Sequence, residues 1–265
     1  MAKGADSSGG APCLYVPLTN LLFIDDSQAE VPQSGVKPGR VSRFCVTVGV
    51  AIRWSDCAAL LDDLDAFRRS TFLLNRMPPE LKGSYLADEK RRAGMTLHES
   101  IHRFSDVIKY RTLGIWVMVA DRTAFHPPSA AIRLAHATAL QFLFERVAGH
   151  PDHARSEART WAVVADHVSS REAAALSAAL REFTNPFTQA PLPVWIAPRS
   201  LAGASEDWAG IQIADVFAYL AAHYRATELR TGGDGDCASA FRTQLWPHLM
   251  KRANGQVRGI GYKTW

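Results

Sequence analysis

The stretch Leu21-Leu22-Phe23-Ile24-Asp25-Asp26-Ser27 runs four consecutive apolar residues straight into two carboxylates and a hydroxyl. An unbroken apolar run of this length suits a strand covered on both faces rather than one with a wetted side. A chain that contains it must therefore place structure on both sides of a sheet. The far end of such a strand delivers Asp25 or Asp26 to the sheet rim, where open α/β folds usually keep their chemistry. Asp is also a common turn residue, so the stretch alone is equally a strand ending in an acidic turn.

The segments that follow supply the covering layers. Phe44 to Ile52 is rich in β-branched residues, ends at Arg53-Trp54, and is expected to pair with the first strand as a hairpin. Ser55 is a plausible N-cap for a helix reaching Phe72, with Leu60, Leu64, Phe67 and Thr71 on its buried face. Glu80 to Ser84 follows a proline pair and reads as extended chain. A second helix over 93–110 would bury Leu97, Ile101, Phe104 and Ile108. Leu113 to Ala120 and Trp161 to Ala165 read as strands ending at Asp121 and Asp166, with an apolar helix from Ser129 to Val147 between them. Ser169 to Glu172 has capping-box spacing and opens a further helix, Val194 to Ala197 is a short strand, and the last long helix runs from Asp207 to Leu229.

Strands alternating with helices after an initial hairpin predict a mixed sheet with helices on its faces. With 265 residues, 47% of them hydrophobic, the chain is long enough for one large domain. We expect a tail over residues 1–20, which are small and polar at their start, and a single domain over 21–265. A net charge of +4 permits nucleic-acid binding without arguing for it. Cys13, Cys45, Cys57 and Cys237 show no Cys-x-x-Cys spacing, so neither a zinc ribbon nor a disulfide framework is indicated, and a reduced, cytoplasmic setting is expected. No apolar run approaches the roughly 20 residues that a membrane-spanning helix needs.

The most informative single residue is Asp215. The helix around it reads Ile-Gln-Ile-Ala-Asp-Val-Phe-Ala-Tyr-Leu-Ala-Ala from Ile211 to Ala222, apolar nearly all round, with Gln212 on the same face as the carboxylate. An ionised carboxylate on a buried helix must be paired, hydrogen-bonded or metal-bound. No Lys or Arg lies within one turn of it. Set against strand ends that also carry Asp, it suggests a group of like charges held together by a divalent cation, the alternative being a distant Arg.

Phe23-Ile-Asp-Asp-Ser27, Gly49-Val-Ala-Ile52, Glu80-Leu-Lys-Gly-Ser84, Val163-Val-Ala-Asp166, Gly210-Ile-Gln-Ile-Ala-Asp215 and the closing Gly259-Ile-Gly-Tyr-Lys-Thr-Trp265 together resemble the bacterial and phage domain of unknown function 3800 family. The resemblance covers nearly the whole chain from residue 21, with the motifs in the family's order. It implies a ribonuclease-H-like fold: a mixed five-stranded sheet with helices on both faces and a helical insertion after the second strand. It further implies a four-carboxylate, Mg²⁺-dependent nuclease site in which Asp25, Glu80, Asp166 and Asp215 match the acidic positions, and Lys82 and Gln212 the polar companions. Asp26 stands where the family has Glu, and Gln28 where it has Gly, which alters the turn.

The chemistry is consistent with that expectation. In-line hydrolysis of a phosphodiester needs an activated water and a stabilised leaving oxygen, which two Mg²⁺ or Mn²⁺ ions can serve together, and an all-carboxylate donor set suits such hard cations. Asp25 would bridge both ions, with Asp26 and Asp121 as further candidate ligands and Asp121 an alternative to Asp166. Ser27, Lys82 and Gln212 are candidate substrate contacts. The expected activity is hydrolysis of DNA or RNA; the alternative is a non-catalytic ribonuclease-H-like binding module of a defence or mobile-element system.

Two other features compete. His98-Glu99-Ser100-Ile101-His102 matches the His-Glu-x-x-His zinc-protease pattern, although Arg103 is charged where such helices are usually uncharged and no third ligand follows at a familiar spacing. From Phe241 onward, Arg242, Lys251, Arg252, Arg258 and Lys263 are interleaved with Trp246, Tyr262 and Trp265, and no Asp or Glu occurs. This segment is either a nucleic-acid contact surface or a tail whose aromatics pack on the body.

Overall fold

A computed structural model describes residues 18–27, 44–121, 131–148, 160–166, 196–203, 205–229, 232–259 and 261–264. The greater part of the expected tail, the loop after Ser27, the helix opened by Ser169 to Glu172, and Trp265 lie outside the described residues.

The expected hairpin is present: β1 (Leu18–Ser27) and β2 (Phe44–Arg53) are antiparallel, with Asn20 opposite Arg53 and Ser27 opposite Val46. Leu18 to Asn20 belong to β1 rather than to a tail. Asn20 is buried, so the strand begins before the apolar run that announced it.

The helical insertion then follows in three pieces, α1 (Cys57–Thr71), α2 (Gly83–Ala87) and α3 (Leu97–Ile108). Helix α1 buries Leu60, Leu64, Phe67 and Thr71, as its periodicity requires. Its start differs from expectation, because Ser55 lies in a 3-10 turn, Trp54–Asp56, and Asp56 occupies the cap position. Of the segment expected to be extended, Lys82 is so, whereas Glu80 lies in a bend and Gly83 and Ser84 already belong to α2.

Strand β3 (Thr112–Asp121) returns antiparallel to β2, helix α4 (Ala131–Ala148) crosses over, and β4 (Thr160–Asp166) pairs parallel with β1. Strand β5 (Ile196–Gly203) pairs parallel with β4 and reaches past the expected Ala197. Pro198 falls inside this strand. It is tolerated because β5 is an edge strand and the register shifts between Trp161 and Val163 of its partner. The long core helix α5 (Ala209–Glu228), a short α6 (Gly235–Ala240) and a terminal β6 (Tyr262–Thr264), parallel to β3, complete the described elements.

The strand order is β5-β4-β1-β2-β3-β6. Among β1 to β5 only β2 runs against the rest, and helices cover both faces, so the fold is ribonuclease-H-like, with β6 added at one edge. Leu21, Phe23, Val48 and Val164 pack towards α1, α3 and α5, whereas Leu22, Ile24, Met118 and Val163 pack towards Leu140, Leu143 and Phe144 of α4. The both-faces burial of β1 is thus the centre of a three-layer structure. No helix among the described residues is long and apolar enough to cross a membrane.

Candidate active site

Ile24 of β1 lies opposite Ala165 of β4, so the next residues, Asp25 two places before the end of β1 and Asp166 at the end of β4, stand side by side on adjacent parallel strands. Phe23 and Val164 face the α5 layer and Ile24 and Ala165 the α4 layer; alternation therefore turns Asp25 and Asp166 toward α5. Asp25 is opposite Val48, and Val48 is opposite Val117 on β3. Asp121, opposite Phe44, lies four residues beyond Val117, which at strand rise is about 13 Å farther along. Of the two candidates, Asp166 stands beside Asp25. Asp26 and Ser27 close β1 opposite Thr47 and Val46.

Helix α5 brings the other half of the site. Its start is laid on β1, with Trp208 stacked against Phe23 at 5.6 Å between ring centroids. A Cβ at Gly210 would come within 2.1 Å of the Phe23 ring, so only glycine lets the helix lie this close. Five residues on, Asp215 interrupts the apolar surface and its Oδ1 accepts the Gly83 N–H at 2.8 Å. Gly83 is the second enforced glycine: a Cβ there would sit 2.4 Å from Tyr219 Cβ. The segment 80–83 therefore rests directly on the helix that carries Asp215.

Gln212, expected to touch substrate, is instead 1% exposed and engaged at both ends of its amide. Its Oε1 accepts the Leu81 N–H at 2.8 Å, and its Nε2 donates to the Ser205 carbonyl at 3.0 Å and, more weakly, to that of Glu206 at 3.4 Å. It ties the 80–83 segment to the turn that leads into α5. Lys82, the other expected substrate contact, places its Nζ 2.7 Å from Glu80 Oε1, while the second Glu80 oxygen accepts the Ser205 hydroxyl. Ser205 was not singled out from sequence, and only the fold reveals it, because it lies 125 residues from Glu80.

The electrostatics report the same convergence. Burial pushes the Asp215 carboxyl above its ordinary value; the Gly83 N–H and the Lys82 charge oppose this, and the Glu80 and Asp166 carboxylates add to it. The Lys82 ammonium is pushed up, chiefly by its hydrogen bond to Glu80. Among the described residues, no three His, Cys, Asp or Glu side chains stand as a ready-made ligand group. The donor set nevertheless fits a hard divalent cation in kind: Asp25, Glu80, Asp166 and Asp215 offer only carboxylate oxygens, and Asp215 is a buried acid beside like charges that a cation would relieve.

No family model matches the sequence, and neither does any curated protein. Solved structures that resemble the chain include two of Bst-RNase HIII. One is Bst-RNase HIII in complex with Mn²⁺, at 14% identity and a TM-score of 0.38, over 87% of this chain and 64% of that one. The other is a point mutant of Bst-RNase HIII, at 15% identity and a TM-score of 0.38, over 86% and 64%. The chain thus spans less than two thirds of the length of these proteins.

The His98 to His102 motif has a different use. Thr96 and Glu99 form a capping box at the start of α3: the Glu99 carboxylate accepts the Thr96 N–H at 2.8 Å and its hydroxyl at 2.9 Å, and the Thr96 hydroxyl accepts the Glu99 N–H. These bonds, the backbone one foremost, hold the Glu99 carboxyl below its ordinary value. His102 contacts Gln244 at 3.2 Å. The Thr-x-x-Glu spacing was legible at Thr96 and accounts for the glutamate without zinc.

Among the described residues of the C-terminal segment, Tyr262 is a core residue and Trp246 is half-buried against the core, so these two rings pack on the body. Tyr262 is 1% exposed, its ring 5.0 Å from that of Trp246, and Tyr224 and Phe241 complete the packing at 5.3 Å from each other. Arg258 pairs with Glu228 at 2.6 Å, and Lys263 lies over the Phe142 ring. A segment that returns to add a strand to the sheet buries its rings in doing so.

Proposed function

We propose that this protein is a divalent-metal-dependent phosphodiester hydrolase, a nuclease acting on DNA or RNA, of the bacterial and phage family whose motifs it shares. The observation that carries this reading is the placement of Asp215: a carboxylate on an otherwise buried helix, held by the Gly83 N–H, that feels the charges of Glu80, in the segment before α2, and of Asp166, at the end of β4. Asp25, Glu80, Asp166 and Asp215 are the residues that would hold Mg²⁺ or Mn²⁺. Two such ions, when bound, supply an activated water and neutralise the leaving oxygen.

The chain's own contribution is positioning. Strand register sets Asp25 beside Asp166, the Gly210–Phe23 approach sets how closely the helix that carries Asp215 lies on β1, and Gln212 holds the segment that carries Glu80. The present engagement of Glu80 with Lys82 and Ser205 favours, as a second reading, a binding module that keeps the fold without turnover.

The two are separated by incubating the protein with single- and double-stranded DNA and RNA in Mg²⁺ or Mn²⁺, alongside Asp25→Asn and Asp215→Asn. Cleavage that falls at least about 100-fold in both variants is the expected result. Cleavage that survives both substitutions would refute the assignment, and nucleic-acid binding without cleavage would favour the module.

A further inference from the structure

We propose that Lys82 is a resident counter-ion of the acidic site, an ammonium that a divalent cation displaces from Glu80 and that is thereby freed toward the substrate phosphate. The inference rests on the metal-dependent reading above and deepens it.

Both oxygens of Glu80 are occupied, one by Lys82 Nζ at 2.7 Å and the other by the Ser205 hydroxyl. Each oxygen keeps a second lone pair, but an ion bound to Glu80 would sit beside the Lys82 ammonium, and the two positive charges repel each other. The backbone on either side of Lys82 does not move to relieve this, because the Leu81 N–H is bound by buried Gln212 and the Gly83 N–H by Asp215, each at 2.8 Å. What can move is the Lys82 side chain. It is 36% exposed, against 15% for Glu80, and a lysine is a compact charge on a flexible stem that can turn out to water.

The charges make the exchange reciprocal. Glu80 and Asp166 both act on Asp215, so withdrawing the ammonium leaves a group of like charges that calls for another cation. A divalent ion supplies it, and its positive charge then repels the ammonium from the place that it held. Metal and Lys82 thus compete for Glu80, and loading of the metal precedes presentation of Lys82 to a phosphate.

The test uses the full chain and does not read cleavage. Mn²⁺ binding is measured by titration calorimetry in the wild type, Lys82→Met and Lys82→Arg, and each protein is melted in EDTA and in saturating Mn²⁺. Because a part-exposed ion pair is a modest competitor, Lys82→Met should bind Mn²⁺ roughly fivefold more tightly than wild type. It should also melt lower in EDTA, with the deficit closing in Mn²⁺. Lys82→Arg, which keeps the charge, should stay within about twofold of wild type. Unchanged or weaker Mn²⁺ binding by Lys82→Met, or a melting deficit that Mn²⁺ leaves untouched, would overturn the counter-ion role while leaving the metal reading in place. Absence of Mn²⁺ binding in wild type and Lys82→Met alike would remove both.

Discussion

Replacing Gln212 by Met keeps the length of the side chain and removes both ends of its amide. The Leu81 N–H then loses its partner, whereas the Ser205 carbonyl keeps the Trp208 N–H at 3.3 Å; Leu81 is itself 1% exposed, so water does not readily replace the lost bond. A buried backbone group left unpaired costs about 1–3 kcal/mol. One such N–H left unpaired, with one carbonyl bond fewer at Ser205, makes the substitution worth about 2 kcal/mol, which for a chain of this size is a fall in melting temperature of roughly 4–8 °C. The assay is thermal unfolding followed by circular dichroism in EDTA. Gln212→Glu separates the two ends: a carboxylate still accepts the Leu81 N–H, but it faces the Ser205 carbonyl without a proton to donate. That variant should be destabilised at neutral pH and recover as pH falls and the carboxyl takes up a proton. A melting temperature for Gln212→Met within about 2 °C of wild type would show that the 80–83 segment is held by something other than this amide, and the account of how Glu80 is positioned would fall with it.

Asp215 makes a prediction of opposite sign. Its carboxyl is raised, chiefly by burial, so the folded state holds this proton more tightly than the unfolded chain. The stability it contributes is fully present below the ordinary carboxylate value and is lost as pH rises through the raised one. In EDTA at neutral pH, Asp215→Asn, whose amide oxygen can still accept the Gly83 N–H, should therefore melt roughly 2 °C above wild type, with the gap closing on acidification and reversing in saturating Mn²⁺. A variant less stable than wild type at neutral pH without metal would contradict the burial argument. Gly210→Ala improves intrinsic helix propensity by about 1 kcal/mol yet forces a methyl within 2.1 Å of the Phe23 ring, so a net loss of about 1–2 kcal/mol is expected, together with weakened Mn²⁺ binding from a displaced Asp215. A neutral or stabilised Gly210→Ala with unaltered Mn²⁺ affinity would show that the close approach does not set how the helix that carries Asp215 lies on β1.

Much of this architecture could be read along the chain. The apolar run Leu21 to Ile24, the β-branched stretch of β2, and the spacing of Leu60, Leu64, Phe67 and Thr71 each carry their periodicity in consecutive residues, and the elements formed where that periodicity placed them. Bounds and roles shift where a local signal is weak or shared: β5 runs on to Gly203, past the Ala197 expected to end it, and Glu99, which sits in a His-Glu-x-x-His pattern, serves a capping box with Thr96.

What the sequence by itself determined is that β1 is buried on both faces, that it runs into the pair Asp25-Asp26, and that a buried helix carries Asp215, because burial and periodicity are written locally. Only the tertiary structure decided that Asp166 rather than Asp121 neighbours Asp25, that Gln212 binds backbone rather than substrate, and that Lys82 and Ser205 both hold Glu80. Those choices depend on strand order, register and the approach of a helix to a sheet. Each is a relation between residues that are adjacent only once the chain has folded.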